Sequence, residues 1–408
     1  MLTLINKEQY ISFTKNYDNS NFLHSWEELE RKKEQGFCVE IVGMEEGNEL
    51  VAIAPLIYYP YLRKFKYAYS PRGFLIDFEN KALLKKFTDA IIAYLADKKA
   101  VYLKIDPYIE YQQRDTYGNI VEGGYNHFNV LKNIEDCGYI HQGFSTGYDA
   151  NAQVRFMHTI SLVEKDEKML LKEMSSTCRY CVQHSEYTGL SIREVAKEDI
   201  KPLQELYEYM GAKNGFHVHD IEYLNSLYNH YGDNIVSYLV VLDIEEYRTS
   251  LYDEKQAVEA KLSQYPEEEL SEKRKNKKKE LEIIRDKVDK KIETLQEYKE
   301  KEITLSGGTF LLYGNEVVYL MGGSYRDLNY LNASYALQWK MIRYALHEGY
   351  KKYNFYGISG IFDESCEDYG VLKFKQGFGG QAEELLGDFE LPIQTSKYKM
   401  LKTVQKIR

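Results

Sequence analysis

The chain has 408 residues, 44% of them hydrophobic, and a formal net charge of −10. That length favours two domains over one core, and the acidic balance argues against a protein that coats nucleic acid generally. No apolar run approaches the ~20 residues that span a bilayer and no N-terminal signal sequence is visible, so the expectation is a cytoplasmic protein without a disulfide framework, its five cysteines being odd in number and irregular in spacing.

In chain order, residues 38–42 read as a strand, 45–48 as a turn and 49–58 as the returning strand, with a further extended segment over 68–77. A helix over 81–98 carries apolar residues at Leu83, Leu84, Phe87, Ala90, Ile91 and Leu95. It feeds a strand at 100–106 that ends on Asp106, just before Pro107. Cys178 and Cys181 form one C-x-x-C pair with no second pair to complete a zinc site. A strand follows at 237–243.

Residues 244–302 then form a highly charged helical arm inside a strand pair. Tyr247, Leu251, Val258, Leu262 and Tyr265 repeat at three-, four- or seven-residue steps, the seam of a coiled coil. Pro266 breaks the helix, since proline lacks the N–H and clashes with the preceding turn. The second half is expected to restart near Glu267 and to repeat at Leu281, Ile284, Val288, Ile292 and Leu295, so that two antiparallel helices return the chain to its sheet. Between them lies Lys273-Arg-Lys-Asn-Lys-Lys-Lys279, six cations in seven residues. Such a block is either a solvated helix face or a contact for a polyanion, RNA or an anionic membrane.

Strands over 303–313 and 317–321 flank a turn at Gly314 and Asn315. A helix over 334–348, apolar at Tyr335, Leu337, Trp339, Ile342, Ala345 and Leu346, leads to a strand at 352–356. Each half thus runs meander, helix, strand, with the arm in the place of the 45–48 turn. This order resembles the acyltransferase fold of acetyl-CoA-dependent N-acetyltransferases. The expected class is α+β, two GNAT-like subdomains with an inserted antiparallel coiled-coil arm. The first subdomain is 1–150, with the tail 396–408 packing on it; the second is 151–243 with 303–395; the arm is 244–302.

Several motifs carry a more specific resemblance. They are Phe65-Lys-Tyr-Ala-Tyr-Ser-Pro-Arg-Gly73, Tyr102-Leu-Lys-Ile-Asp-Pro-Tyr108, Gly138-Tyr-Ile-His-Gln-Gly-Phe144 and Ala333-Ser-Tyr-Ala-Leu-Gln-Trp339. Tyr353-Asn-Phe-Tyr-Gly-Ile-Ser-Gly360, Phe374-Lys-Gln-Gly-Phe378 and Gly387-Asp-Phe389 follow. In this order and with the arm, the chain resembles the Fem family of peptidoglycan bridge-forming aminoacyltransferases. The resemblance implies transfer of alanine, serine or glycine from aminoacyl-tRNA to an amine of the stem peptide, or of the growing bridge, of a lipid-linked cell-wall precursor. It implies no cofactor and no metal, a peripheral place at the inner face of the membrane, and association with other bridge-forming transferases. Ester-to-amide exchange is downhill, so proximity, an uncharged amine and charge stabilisation suffice.

The residues follow from the same resemblance. Asp106, at a strand's carboxyl end, matches an aspartate of the family's substrate site and could hold or deprotonate the acceptor ammonium; the plain alternative is an aspartate capping a turn. Lys375 resembles the family lysine near the reacting ester, with Phe374 as a packing wall; the alternative is a solvated strand lysine. Lys32, with Arg31 and Lys33 as neighbours, and Lys213, where many relatives have arginine, match lysine and arginine positions that bind the precursor's phosphates. Tyr102, Tyr108 and Tyr356 are candidate sugar or peptide contacts, or core tyrosines. Glu384 and Asp388 are acidic candidates. The segment 175–185 offers only Arg179 and His184 where many relatives are strongly basic. That moves the expected tRNA grip to Arg63, Lys64, Lys66 and Arg72, and to Lys273, Arg274, Lys275, Lys277, Lys278 and Lys279 of the arm. The cationic C-terminus, with Met400, Leu401, Val404 and Ile407, reads either as a membrane contact or as a packed helix.

Two rival functions remain at this point. An acetyl-CoA acetyltransferase would need a glycine-rich loop at a helix N-terminus, and its pattern is absent. A scaffold pairing through the arm would need longer, unbroken heptads.

Overall fold

The computed structural model describes the chain except residues 1, 62–64, 150–151, 186–188, 216, 267–270, 327 and 408. One sheet has the spatial order β1 (Thr3–Leu4), β2 (Cys38–Glu46), β3 (Glu49–Tyr61), β4 (Phe65–Ser70), β5 (Tyr102–Ile105), β15 (Phe389–Pro392) and β7 (Ile140–His141). The other runs β6 (Glu110–Gln112), β14 (Gln381–Leu385), β8 (Phe156–Ser161), β13 (Lys352–Ile358), β12 (Glu316–Ser324), β11 (Glu302–Tyr313), β10 (Ile235–Asp243) and β9 (Leu190–Glu194). The helices of the first half are α1 (Lys7–Lys15), α2 (Trp26–Glu34), α3 (Lys81–Asp97), α4 (Phe128–Asp136), α5 (Glu167–Glu173) and α6 (Ser176–Ser185). Those of the second are α7 (Lys201–Asn214), α8 (Ile221–Tyr231), α9 (Ile244–Leu262), α10 (Glu272–Leu295), α11 (Ala333–His347), α12 (Tyr369–Gly377) and α13 (Thr395–Ile407).

The repeat expected from the sequence is visible as topology. In each sheet an antiparallel meander ends in a parallel pair, β4 with β5 and β12 with β13. Parallel neighbours need a long crossover, and α3 and α11 supply it. Leu84, Phe87, Ile91 and Leu95 of α3 pack on Val42, Leu56 and Leu103. Leu337, Met341, Ile342 and Ala345 of α11 pack likewise on Val240, Phe310, Val317 and Tyr353.

Two strands cross the expected boundaries at residues 150 and 395. β6, from the first half, pairs with β14 in the second sheet. β15, from the second, pairs with β5 and β7 in the first. Each exchange covers a backbone edge that would otherwise lie unpaired, and together they join the units. From α13, Tyr398 and Leu401 pack on Val101 and Tyr102 of the first unit. Leu401 is only 2% exposed, which removes it from any outward-facing surface.

The arm joins β10 to β11 as an antiparallel helix pair. Arg248 donates to the Leu295 carbonyl (3.1 Å), Lys255 pairs with Asp289 (2.6 Å) and Arg274 donates to the Gln264 carbonyl (3.1 Å). Leu251, Val258, Leu281, Val288, Ile292 and Leu295 are buried between the helices, whereas Ile284 is 40% exposed. The seam advances from Leu281 in a four-then-three step, and Ile284 lies off that line. The restart near Glu267 lies outside the described residues; α10 is described from Glu272.

Candidate active site

β4 and β5 stay in parallel register as far as Ser70 and Ile105 and then part. Two loops leave that edge side by side, Ser70-Pro-Arg-Gly73 and Asp106-Pro-Tyr108. Arg72 and Gly73 both take positive φ, 58° and 85°. A Cβ on Gly73 would sit 2.9 Å from the Pro107 Cα, so glycine lets the loops touch. They lock through the Arg72 N–H, which donates to Asp106 Oδ1 (2.7 Å), and the Tyr108 N–H, which donates to the Arg72 carbonyl (3.0 Å). The Arg72 guanidinium lies 3.5 Å from Asp106 Oδ2 and also donates to the Val154 carbonyl (3.0 Å).

Asp106 is thus buried against a cation. Burial raises its carboxyl to about 6; Arg72 and Lys104 oppose the rise and Asp388 adds to it. Asp388 is held by Lys104 at 2.7 Å. Lys104 escaped the sequence reading although strand period could reveal it: Leu103 and Ile105 enter the core, so Tyr102, Lys104 and Asp106 share the other face.

The second parallel pair parts in the same way. β12 and β13 are in register only from Glu316 and Lys352 to Val318 and Asn354. The register of β13 on β8 then slips between Asn354 and Gly357, and Tyr356 takes a φ of 64°. Such a bulge re-aims a side chain. Tyr356 turns to Phe22 (ring centroids 5.8 Å apart) and comes within electrostatic reach of Arg72, Tyr223, Asp106 and Glu28.

The next residue, Gly357, offers its carbonyl to the Lys375 ammonium at 2.7 Å. Lys375 is on α12 and 6% exposed, so it is no solvated strand lysine. Burial pulls its pKa down to about 8, against the pull of Asp368. Phe374 packs edge-on against Tyr335 (4.9 Å) and Phe378 (5.3 Å). Asp106 and Lys375 therefore flank the kink in β13, one contributed by each unit.

Lys32 stands on α2 beside a bidentate Arg31–Glu28 pair, both contacts 2.7 Å. Its ammonium is 3.9 Å from Glu28, and burial lowers its pKa. The Arg31 guanidinium lies over the Tyr223 ring at 5.1 Å. Because Tyr223 and Glu28 also neighbour Tyr356, α2 adjoins the Asp106 site.

Tyr108 is buried and engaged. Its hydroxyl donates to Glu316 Oε2 (3.1 Å), which also accepts from Asn354 (3.0 Å), while Asn21 donates to Oε1 (3.3 Å). This polar bridge links the two units. Its second-unit members were not singled out from the sequence; the signal was a polar residue, Glu316 or Asn354, inside an apolar strand.

Other candidates lie elsewhere. Tyr102 stacks on Tyr67 (4.8 Å) beneath Tyr398 of α13, the packing of a core tyrosine. Arg72 is 2% exposed and unavailable to tRNA. Arg63 and Lys64 lie outside the described residues; the Lys66 ammonium lies over the Tyr58 ring at 4.5 Å. Lys213 is exposed at the end of α7, over Tyr209. Arg179 is spent on the Met174 carbonyl at the end of α5 (3.1 Å). The arm cations open α10 at the tip of the arm, far along the chain from the kink.

Glu384 is a structural ion, engaged by Arg155, by Arg114 (2.5 Å) and by Gln112 (2.8 Å). Burial opposes its charge, but the Arg114 and Gln112 hydrogen bonds hold its pKa below the ordinary value. Glu384→Gln leaves the buried Arg155 without its counterion and is expected to destabilise the fold by roughly 3–5 kcal/mol. Urea unfolding measures this, and an unchanged midpoint would contradict the structural role.

Among the described residues, no group of three His, Cys, Asp or Glu side chains is placed to hold a metal ion, and no helix is long and apolar enough to cross a membrane.

The FemAB family model matches residues 5–406. Aminoacyltransferase FemA of Staphylococcus epidermidis is 31% identical over 414 residues, covering 100% of this chain and 99% of that protein. Aminoacyltransferase FemA of Staphylococcus aureus is 30% identical over 414 residues, covering 100% and 98%. A crystal structure of FemX superimposes with a TM-score of 0.78 at 23% identity, covering 98% of this chain and 99% of that one. With a family match along nearly its whole length, the chain belongs to the FemAB family, and it is an aminoacyltransferase.

Proposed function

We propose that the protein moves one amino acid, alanine, serine or glycine, from aminoacyl-tRNA to an amine of the stem peptide or growing bridge of a lipid-linked peptidoglycan precursor. The observation that carries this reading is that two consecutive residues of the β13 kink meet groups from different units: Tyr356 lies within electrostatic reach of buried Asp106, whose pKa is about 6, and the Gly357 carbonyl accepts from buried Lys375, whose pKa is about 8. Both values lie near neutrality, where acid–base groups work best.

The acceptor amine attacks the ester carbonyl, a C–N bond forms and the C–O bond to the ribose breaks. Asp106 takes the proton that the amine loses and returns it to the ribose oxygen as the C–O bond breaks. Lys375 faces the charge that grows on the carbonyl oxygen, where a fixed cation in a dry site acts strongly. In the same reading, Lys32 and Lys213 hold the precursor's phosphates, the enzyme works at the inner face of the membrane, and the arm cations grip tRNA.

The deciding experiment supplies alanyl-, seryl- and glycyl-tRNA separately, with bare or one-residue-extended lipid-linked precursor, and reads products by mass. One amino-acid increment on one acceptor supports the reading. Acetylation of a small amine from acetyl-CoA, without aminoacyl transfer, would overturn it.

The arm has its own test. Replacing Lys273, Arg274, Lys275, Lys277, Lys278 and Lys279 by serine is expected to raise KM for full-length aminoacyl-tRNA by about tenfold or more and to flatten its salt dependence, as lost phosphate contacts do. An unchanged KM would make the block a solvated helix face.

A further inference from the structure

We propose that His158 is a positioning residue for Lys375: its imidazole pins the C-terminal turn of α12 to β8, opposite the kink, and so holds the lysine on the Gly357 carbonyl. The inference rests on the reading above for the role of Lys375, and its test includes a readout that needs no transfer.

The register of the strands puts His158 at the kink. Asn354 of β13 faces Thr159 of β8, and Gly357 faces Met157. Phe355 and Tyr356 are thus two residues opposite one, His158, the count that defines a β-bulge. His158 is fully buried, and its ring lies 5.9 Å from that of Phe355. Strand alternation turns it to the same side as Phe156 and Ile160. On that side Phe156 packs with Leu372 of α12, and Ile160 shares a core with Phe378.

The imidazole reaches the end of α12 through one bond. Its Nε2 lies 2.7 Å from the Gly379 carbonyl oxygen. A carbonyl only accepts, so Nε2 carries the hydrogen and Nδ1 is a bare lone pair. Two glycines permit the approach. Gly379 and Gly380 take φ of 82° and 83°, and a Cβ on Gly380 would run into the Thr159 carbonyl. The same turn closes on Lys375, whose backbone carbonyl accepts from the Phe378 N–H (3.1 Å). α12 is therefore tied to the strands at the kink twice, by His158 to Gly379 and by Lys375 to Gly357. Without the first tie, the second depends on a flexible four-carbon stem alone.

The ring suits this place because it stays uncharged. Burial lowers its pKa to about 4; the Gly379 bond opposes the fall and Lys375 adds to it. Above that pH, His158 sets no second positive charge against the lysine. Of the other titratable groups nearby, Asp368 acts on Lys375 from just before α12. Cys178 of α6 lies against Gly377, and burial pushes its thiol up to about 12. Nδ1 has no hydrogen-bond partner among the described residues. What a histidine adds here over an apolar side chain is thus the bond at Nε2.

The test compares three variants. His158→Leu and His158→Asn both lose the donor that reaches Gly379, whereas His158→Gln keeps an amide N–H near the place of Nε2. Leucine and asparagine differ in polarity, so one serves if the other does not fold. Both are expected to lower kcat by about tenfold or more, the scale of a misplaced group, with KM for either substrate little changed. The alkaline limb of the pH profile should move from about 8 towards 10.5, as the released ammonium regains water. His158→Gln should restore both.

Stability gives the independent readout. Its rise with pH between about 8 and 10.5 comes from the low pKa of folded Lys375, and His158, which titrates near 4, has no part in it. Urea unfolding should show that rise shrinking in the leucine and asparagine variants and persisting in His158→Gln. A wild-type limb and a wild-type rise in folded His158→Leu or His158→Asn would overturn the proposal. So would an equal loss of both in His158→Gln. If the rise shrinks as expected while wild type itself transfers no amino acid, the positioning of Lys375 stands and the proposed reaction falls.

Discussion

Asp106→Asn is expected to lower the transfer rate by about 100- to 10,000-fold at neutral pH, the usual cost of removing a general base. The substitution is chosen because an amide oxygen can still accept the Arg72 N–H that Asp106 Oδ1 accepts at 2.7 Å, so the loop pair should survive. The pH profile separates a base from a strut. In wild type, kcat/KM should rise through about 6 as the carboxylate forms; in the variant that limb should vanish. Stability carries the opposite sign. Because burial lifts the carboxyl from 3.8 to about 6, the folded state holds its proton more tightly than the unfolded chain. The stabilisation is full below 3.8 and is lost as pH rises through about 6. Asp106→Asn should remove that slope. A variant with wild-type transfer at neutral pH would reduce Asp106 to a turn residue.

Lys375→Met is expected to lower kcat by about 100- to 1,000-fold, the scale of losing one donor to a developing oxyanion, with KM for either substrate little altered. Here the wild-type profile should fall as pH passes about 8, where the buried lysine gives up its proton. With Asp106, the whole profile is a bell between about 6 and about 8. The fold should tolerate the change. Methionine removes a buried charge but leaves the Gly357 carbonyl without its donor, a cost of about 1–3 kcal/mol. In wild type, stability should rise with pH between about 8 and 10.5, since only the unfolded lysine keeps its proton there; the variant should lack that rise. Transfer at the wild-type rate with an intact fold would remove Lys375 from the chemistry.

The two residues were singled out in the sequence for different reasons. Lys375 stood in a recognisable motif, but its helix and its burial came from α12 packing onto β13. Asp106 was marked by the strand end before Pro107, whereas the cation opposite it, Arg72, was assigned to tRNA. Nothing local shows that Arg72 points inward. Its direction follows from a positive φ and from a glycine that lets Pro107 approach, both products of the second loop lying alongside.

What the sequence by itself determined was the order of elements: two meanders, two crossover helices, and an arm in place of one turn. Those follow from residue periodicity, turn chemistry and a helix-breaking proline, interactions that reach only a few positions along the chain. The seam of the arm was also readable, apart from Ile284. Only the tertiary structure decided which charged groups are spent on ion pairs of the fold. Glu384 and Tyr102 stood among the sequence candidates beside Asp106. Glu384 is consumed by Arg114 and Arg155, far from it in the chain, and Tyr102 is covered by the equally remote α13. Partner choice among buried charges depends on strands that cross between the units, β6 and β15, and such long-range pairing leaves no periodic trace in the residues that make it.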